Sequence, residues 1–213
     1  MSDNRPMAKR GDPLREHILR VAKTVFLEMG FERASMDVVA SRAETSKRSV
    51  YAHFESKEKL FLAVIERVRG LFLGELKMPG DYAAKPAEAL TLFCGRYLEI
   101  LTFEGSIRMM RVSVSMAASG RFQEQVAAYY DVLFTQVHTR LCAYAKATFG
   151  MSARASAEAA HRLMGQVLYP RLQRALFGLE PLAPDFGQDG VAPEFDLKPV
   201  RKAVTEWMES LES

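Results

Sequence analysis

Apolar residues return along this chain at steps of three and four, and no stretch of strict alternation stands out, so the pattern predicts helices throughout. Leu14, Ile18, Val21, Ala22, Val25, Phe26 and Met29 share one helical face, and Gly30 ends that helix as a C-terminal cap. Ser35 caps a second, short helix on which Met36, Val39, Ala40 and Ala43 face inward and Arg42 faces out. Glu44 and Thr45 break the rhythm. Ser46 then caps a third helix barely two turns long, with Val50 and Phe54 as its buried stripe. So short a helix forms only against neighbours, and the first two helices supply them. Ser56 caps a fourth, long helix carrying Leu60, Phe61, Val64, Ile65, Val68, Leu71 and Phe72, which ends at the break Met78-Pro79-Gly80-Asp81.

Beyond that break nothing reads as strand. Pro86 opens a helix with Leu90, Phe93, Cys94, Tyr97, Leu98 and Leu101, and a shorter one follows with Ile107, Met110 and Val114. A long helix covers about 121–149. Another covers about 155–177, where Pro170 removes the hydrogen bond to the Gln166 carbonyl and predicts a bend. A loop rich in Pro, Gly and Asp at about 180–194 precedes a last helix at about 197–211, with Pro199 allowed in its first turn. The expected fold is all-α: an N-terminal three-helix helix-turn-helix DNA-binding domain (13–58) after a disordered basic arm (1–12). A long helix joins it to a C-terminal helical bundle (59–213).

The third helix carries the candidate chemistry. Its exposed side gathers Lys47, Arg48, Ser49, Tyr51 and His53, two cations with hydroxyl, phenol and imidazole groups that suit phosphates and base edges. Lys57 sits in the first turn of the next helix, where a cation opposes the dipole and a DNA phosphate would relieve it. At these residues the chain resembles the DNA-binding domain of the TetR family of transcriptional regulators, of the TetR/AcrR type. The resemblance runs from about Ile18 to about Leu71, through Ala22, Phe26, Gly30-Phe31, Ser35-Met36, Ala40, Ala43, Ser46-Lys47, Tyr51-Ala52-His53-Phe54 and Ser56-Lys57-Glu58. Two positions depart from the family pattern. Glu44 stands where glycine is frequent, which places a non-glycine residue at positive φ for about 1 kcal/mol. Arg48 stands where a small residue is frequent and adds a base or phosphate contact. The DNA-binding set expected is Ser35, Arg42, Ser46, Lys47, Arg48, Ser49, Tyr51, His53 and Lys57.

Charge adds placement rather than amount. The net charge is +3; residues 1–75 hold 14 Lys and Arg against 11 Asp and Glu, and residues 76–213 hold 15 against 15, so the positive excess is N-terminal. Arg5, Lys9 and Arg10 are placed to follow a minor groove as a flexible arm or to remain a solvated tail. Cys94 and Cys142 have neither metal-ligand nor disulfide spacing and read as core residues of a cytoplasmic protein. The start MSDNRPMAKRGDP lacks the apolar core of a signal peptide, and no apolar run reaches membrane-span length. With no phosphate loop, nucleophile elbow or HExxH, and with His17, His53, His138 and His161 scattered, no enzyme, cofactor, catalytic residue or metal is expected.

The resemblance implies a homodimer on a palindromic operator in double-stranded DNA, and a C-terminal domain that takes a small-molecule effector. Polar or adaptable side chains on its apolar helices nominate Tyr97, Arg108, Met109, Met110, Met116, Tyr130, Phe134, His138, His161 and Gln166 for the ligand. Surplus apolar surface nominates Met164, Leu168, Leu172, Leu176, Val204, Trp207, Met208 and Leu211 for the dimer interface. The expected function is repression relieved by the effector; the alternative is a C-terminal domain that binds a protein partner.

Overall fold

The computed structural model describes residues 12–118, 120 and 122–211. Among these the regular structure is helical: α1 (Pro13–Arg33), α2 (Met36–Arg42), α3 (Lys47–Phe54), α4 (Lys57–Gly74), a 3-10 turn (Pro79–Asp81), α5 (Pro86–Thr102), α6 (Glu104–Ala118), α7 (Gln123–Phe149), α8 (Ala153–Phe177) and α9 (Lys198–Glu209). The expected arm with Arg5, Lys9 and Arg10 lies outside the described residues. The chain forms two compact units divided between Arg67 and Val68, midway along α4, where the expected boundary after residue 58 falls in the first turn of that helix. A change of packing partners along an unbroken apolar stripe leaves no mark in the residue pattern.

In the N-terminal unit, Asp12 starts α1 by accepting a hydrogen bond from the Leu14 N–H at 3.0 Å, and Pro13 fills the first helical position, where a missing N–H costs nothing. Ile18, Leu19, Ala22, Val25 and Phe26 are buried, whereas Leu14, in the capped first turn, is exposed. Helix α1 does not stop at Gly30. It kinks there, at φ 72° and ψ 170°, and continues one turn to Arg33. Only a residue without a Cβ takes that pair of angles cheaply. Beyond the kink Phe31 is buried, its ring 5.5 Å from that of Phe61, which also meets Phe26 edge-on at 5.1 Å. Met36, Val39, Ala40 and Ala43 from α2 and its cap, and Val50 and Phe54 from α3, complete the core.

In the C-terminal unit, α5 is buried on nearly all sides and packs on α6, α8 and α9, while α7 and α8 pair along their lengths. Two residues expected in apolar stripes face outward, Leu71 at 51% exposure and Val114 at 60%. Ser113 is buried beside Val114 because its hydroxyl donates to the Met109 carbonyl at 2.9 Å, which satisfies it inside its own helix. Helix α8 carries Pro170 inside it as a single element. The loop between α8 and α9 is fastened by Arg96, only 1% exposed. Its Nη1 donates to the carbonyls of Gly187 at 2.6 Å and Gly190 at 2.8 Å and to Glu99 at 3.0 Å, and its Nη2 donates to Glu75 at 3.0 Å. The other Glu99 oxygen accepts from the N–H groups of Gly187 at 3.1 Å and Ala192 at 2.9 Å.

Candidate nucleic-acid interface and helical-unit clefts

The α2–α3 turn is built from backbone bonds and one side chain. Glu44 takes φ 48°, as its place in a tight turn requires. Its N–H donates to the Ser41 carbonyl at 3.2 Å, and the Thr45 N–H donates to that of Ala40 at 3.0 Å. His17 of α1 donates from Nε2 to the Ala43 carbonyl at 3.2 Å. A carbonyl only accepts, so the Nε2 proton is fixed, and Nδ1 is left to accept from Arg20 at 3.4 Å. The turn is thereby tied to α1, a role no spacing rule picks out for His17. Ser35 and Ser46 are both spent as caps, accepting from the N–H groups of Val38 at 3.2 Å and Ser49 at 3.0 Å.

With those caps in place, α3 turns Val50 and Phe54 inward and leaves Ser46, Lys47, Arg48, Tyr51 and Ala52 exposed. Lys47 lies 2.7 Å from an Asp37 oxygen, and that hydrogen bond and charge hold its pKa above the usual lysine value. Its ammonium is 6.0 Å from the centre of the Tyr51 ring. The Ser49 and Ser46 hydroxyls meet at 2.8 Å. Arg42 pairs with Glu28. His53 is half-buried beside the Phe54 ring, its Nε2 3.7 Å from Asp12. Arg48 meets no carboxylate among the described residues.

Lys57 corrects the expectation set for it. Its ammonium donates to three carbonyls at the end of α1, those of Phe31 at 2.9 Å, Ala34 at 3.1 Å and Glu32 at 3.3 Å, and lies 4.3 Å from the centre of the Phe31 ring. All three donors are used, and the negative end of α1 supplies the favourable field that a phosphate was expected to supply. Lys57 joins the start of α4 to the end of α1.

A helix held at both ends, with its apolar edge buried and a polar edge presented, is the recognition element of a helix-turn-helix. Residues 18–64 match the family described as bacterial regulatory proteins, tetR family. The N-terminal unit carries the DNA-binding domain of the TetR family of transcriptional regulators. It is 36% identical over 84 residues to the HTH-type transcriptional repressor NicS of Pseudomonas putida, a match covering 39% of each chain. The chain thus matches well under two thirds of that curated relative's length. Among solved structures, a TetR-family regulator of Mesorhizobium loti aligns over 95% of this chain and 98% of its own, at TM-score 0.73 and 18% identity, which speaks for fold alone. The flavonoid-responsive regulator FrrA aligns over 92% and 96%, at TM-score 0.68 and 25% identity.

In the C-terminal unit the nominated ligand residues do not converge on one site. Tyr97, Met109, Met110 and Met116 are buried in the core, with Tyr130 half-buried. The Tyr97 hydroxyl and the Ser106 hydroxyl have no hydrogen-bond partner among the described residues, and burial pushes the Tyr97 phenol above its usual range. Arg108 instead pairs with Glu104 at the surface. Phe134, His138 and His161 line an open cleft of about 470 Å³ between α7 and α8, with Met164, Leu168 and Tyr169. Gln166 belongs to another cleft, with Arg171, Arg174 and Glu180. Among the described residues no group of three His, Cys, Asp or Glu is placed to hold a metal.

The dimer set is also corrected. Val204 and Trp207 are core residues of their own subunit; the Trp207 indole donates to the Ala159 carbonyl at 2.7 Å and packs on Phe149 at 6.0 Å. Leu168 is largely buried as well, and Met208 and Leu211 are half-buried. The apolar surface that does face outward is on α8: Tyr169 at 73% and Phe177 at 70% exposure, with half-buried Met164, Leu172 and Leu176 beside them. Periodicity alone misjudged α9 because its apolar face is needed inside, against α5 and α8.

Proposed function

We propose that this TetR-family regulator is a homodimeric repressor that holds a palindromic operator through two α3 helices and releases it when a small molecule occupies the helical unit. The observation that carries the DNA reading is the exposed edge of α3, with Lys47, Arg48 and Tyr51 presented by a capped and tethered helix. One such helix covers few base pairs, and a dyad supplies the second. The apolar face of α8 around Tyr169, Leu172 and Phe177 is the surface proposed to make that dyad. Repression is the simpler regulatory sense, since occupying a promoter needs no further surface, and NicS carries that description.

The effector reading rests on the two unpartnered hydroxyls. An unsatisfied buried hydroxyl costs about 1–3 kcal/mol, and Tyr97 and Ser106 each present one in a methionine-lined core that suits an irregular ligand. A ligand with its own polar groups removes that cost. Because FrrA, a structural neighbour, is described as flavonoid-responsive, hydroxylated aromatics are the first probes to try. Binding then shifts the population toward an arrangement with lower operator affinity.

Selection of binding sites from random duplexes tests the DNA reading; a palindrome supports it, and recovery of no preferred sequence overturns it. Tyr97→Phe tests the ligand site. It is expected to leave the free protein as stable or more stable while weakening the ligand that releases DNA. A loss of stability without change in ligand affinity counts against the assignment.

A further inference from the structure

The exposed edge of α3 consists of two rows, each with residues four apart. Lys47 and Tyr51 form one; Arg48 and Ala52 form the other. The first row is already tied into its own chain through the 2.7 Å contact of Lys47 with Asp37. Neighbouring cations are committed in the same way, Arg42 to Glu28 and Lys57 to the end of α1. Arg48 differs. It is exposed, stands in the first turn of α3 where a cation opposes the helix dipole, and meets no carboxylate among the described residues. Ala52, one turn on, presents only a methyl group to solvent, and so small a side chain lets a base edge approach that row closely.

Building on the reading of α3 as the major-groove helix, we infer that its two rows divide the labour: Arg48 and Ala52 read bases, and Lys47 and Tyr51 hold the backbone. The Arg48 guanidinium donates two parallel hydrogen bonds to O6 and N7 of a guanine, and the Ala52 methyl meets the C5-methyl of a thymine. Phosphate oxygens take the place of Asp37 as partner of the Lys47 ammonium, and the Tyr51 hydroxyl donates to a phosphate beside it. Base preference thus sits on the row that no carboxylate of the described residues engages.

Sites selected from random duplexes by the parent, R48A, R48K and K47A test this, with thermal unfolding followed for each protein. The parent is expected to select one guanine per half-site, R48A is expected to lose about tenfold preference for it at unchanged unfolding temperature, and R48K is expected to fall between the two, because an ammonium lacks the planar fork that matches O6 and N7. K47A is expected to keep the parent's preferred site, bind every duplex more weakly, and lower the salt slope by about one. Guanine preference retained by R48A, which would make Arg48 a phosphate contact, or a base position erased in K47A, overturns the division. If the parent selects no sequence, the major-groove reading of α3 itself fails, which separates the two failures.

Discussion

Gly30 shows how much one residue decides. At φ 72° and ψ 170° it occupies a region that side chains enter only with strain, and the kink places Phe31 against Phe61. Gly30→Ala is therefore expected to lower unfolding free energy by about 1–3 kcal/mol in a denaturant titration. Lys57 makes a second case. Because its three donors are spent on α1 carbonyls, Lys57→Met is expected to lower stability by about 2 kcal/mol yet leave the salt slope of DNA binding unchanged. A slope reduced by one would restore the phosphate contact. The cysteines behave as their surroundings dictate: burial pushes the Cys94 thiol up to about 12, so at neutral pH it stays protonated and inert. A thiol reagent is expected to modify Cys94 only after unfolding, which mass spectrometry of the labelled native protein reads directly.

At the scale of elements, the short helices were legible and the packing of the long ones was not. Ser35, Ser46 and the step from Val50 to Phe54 mark α2 and α3 because a cap and a buried stripe are local properties. The inward face of α9 depends on which neighbours it meets, and the same stripe serves a core or a subunit contact. Negative charge introduced on the outward face of α8, as in Tyr169→Asp with Leu172→Asp, is expected to yield monomers in sedimentation while far-ultraviolet dichroism is unchanged. The Arg96 clamp belongs to this scale too. Its signal was an Arg and a Glu three apart in an otherwise apolar helix, but the carbonyls that justify it come from residues about ninety positions away. Glu99→Ala, which removes one of two carboxylates from the buried Arg96 guanidinium and the acceptor of the Gly187 and Ala192 N–H groups, is expected to cost about 1–3 kcal/mol and to open the 184–192 segment to proteolysis.

For the whole molecule, the proposed regulation is a coupling between a site in the helical unit and the affinity of α3 for DNA, and linkage would make it reciprocal. An effector is expected to raise the unfolding temperature of the free protein and to weaken operator binding by the same factor by which operator weakens the effector. Titrations in both orders, in fluorescence anisotropy and calorimetry, check the equality. What the sequence determined by itself was the helical class, the helix-turn-helix and its exposed cations, because periodicity, caps and turn residues act over a few positions and need no knowledge of the rest of the chain. What only the tertiary structure decided was where those cations are spent, which apolar stripes are covered, and which buried hydroxyls lack a partner. Each of these depends on atoms brought together from distant parts of the sequence, as when the carbonyls at the end of α1 claim Lys57 and α8 claims Trp207.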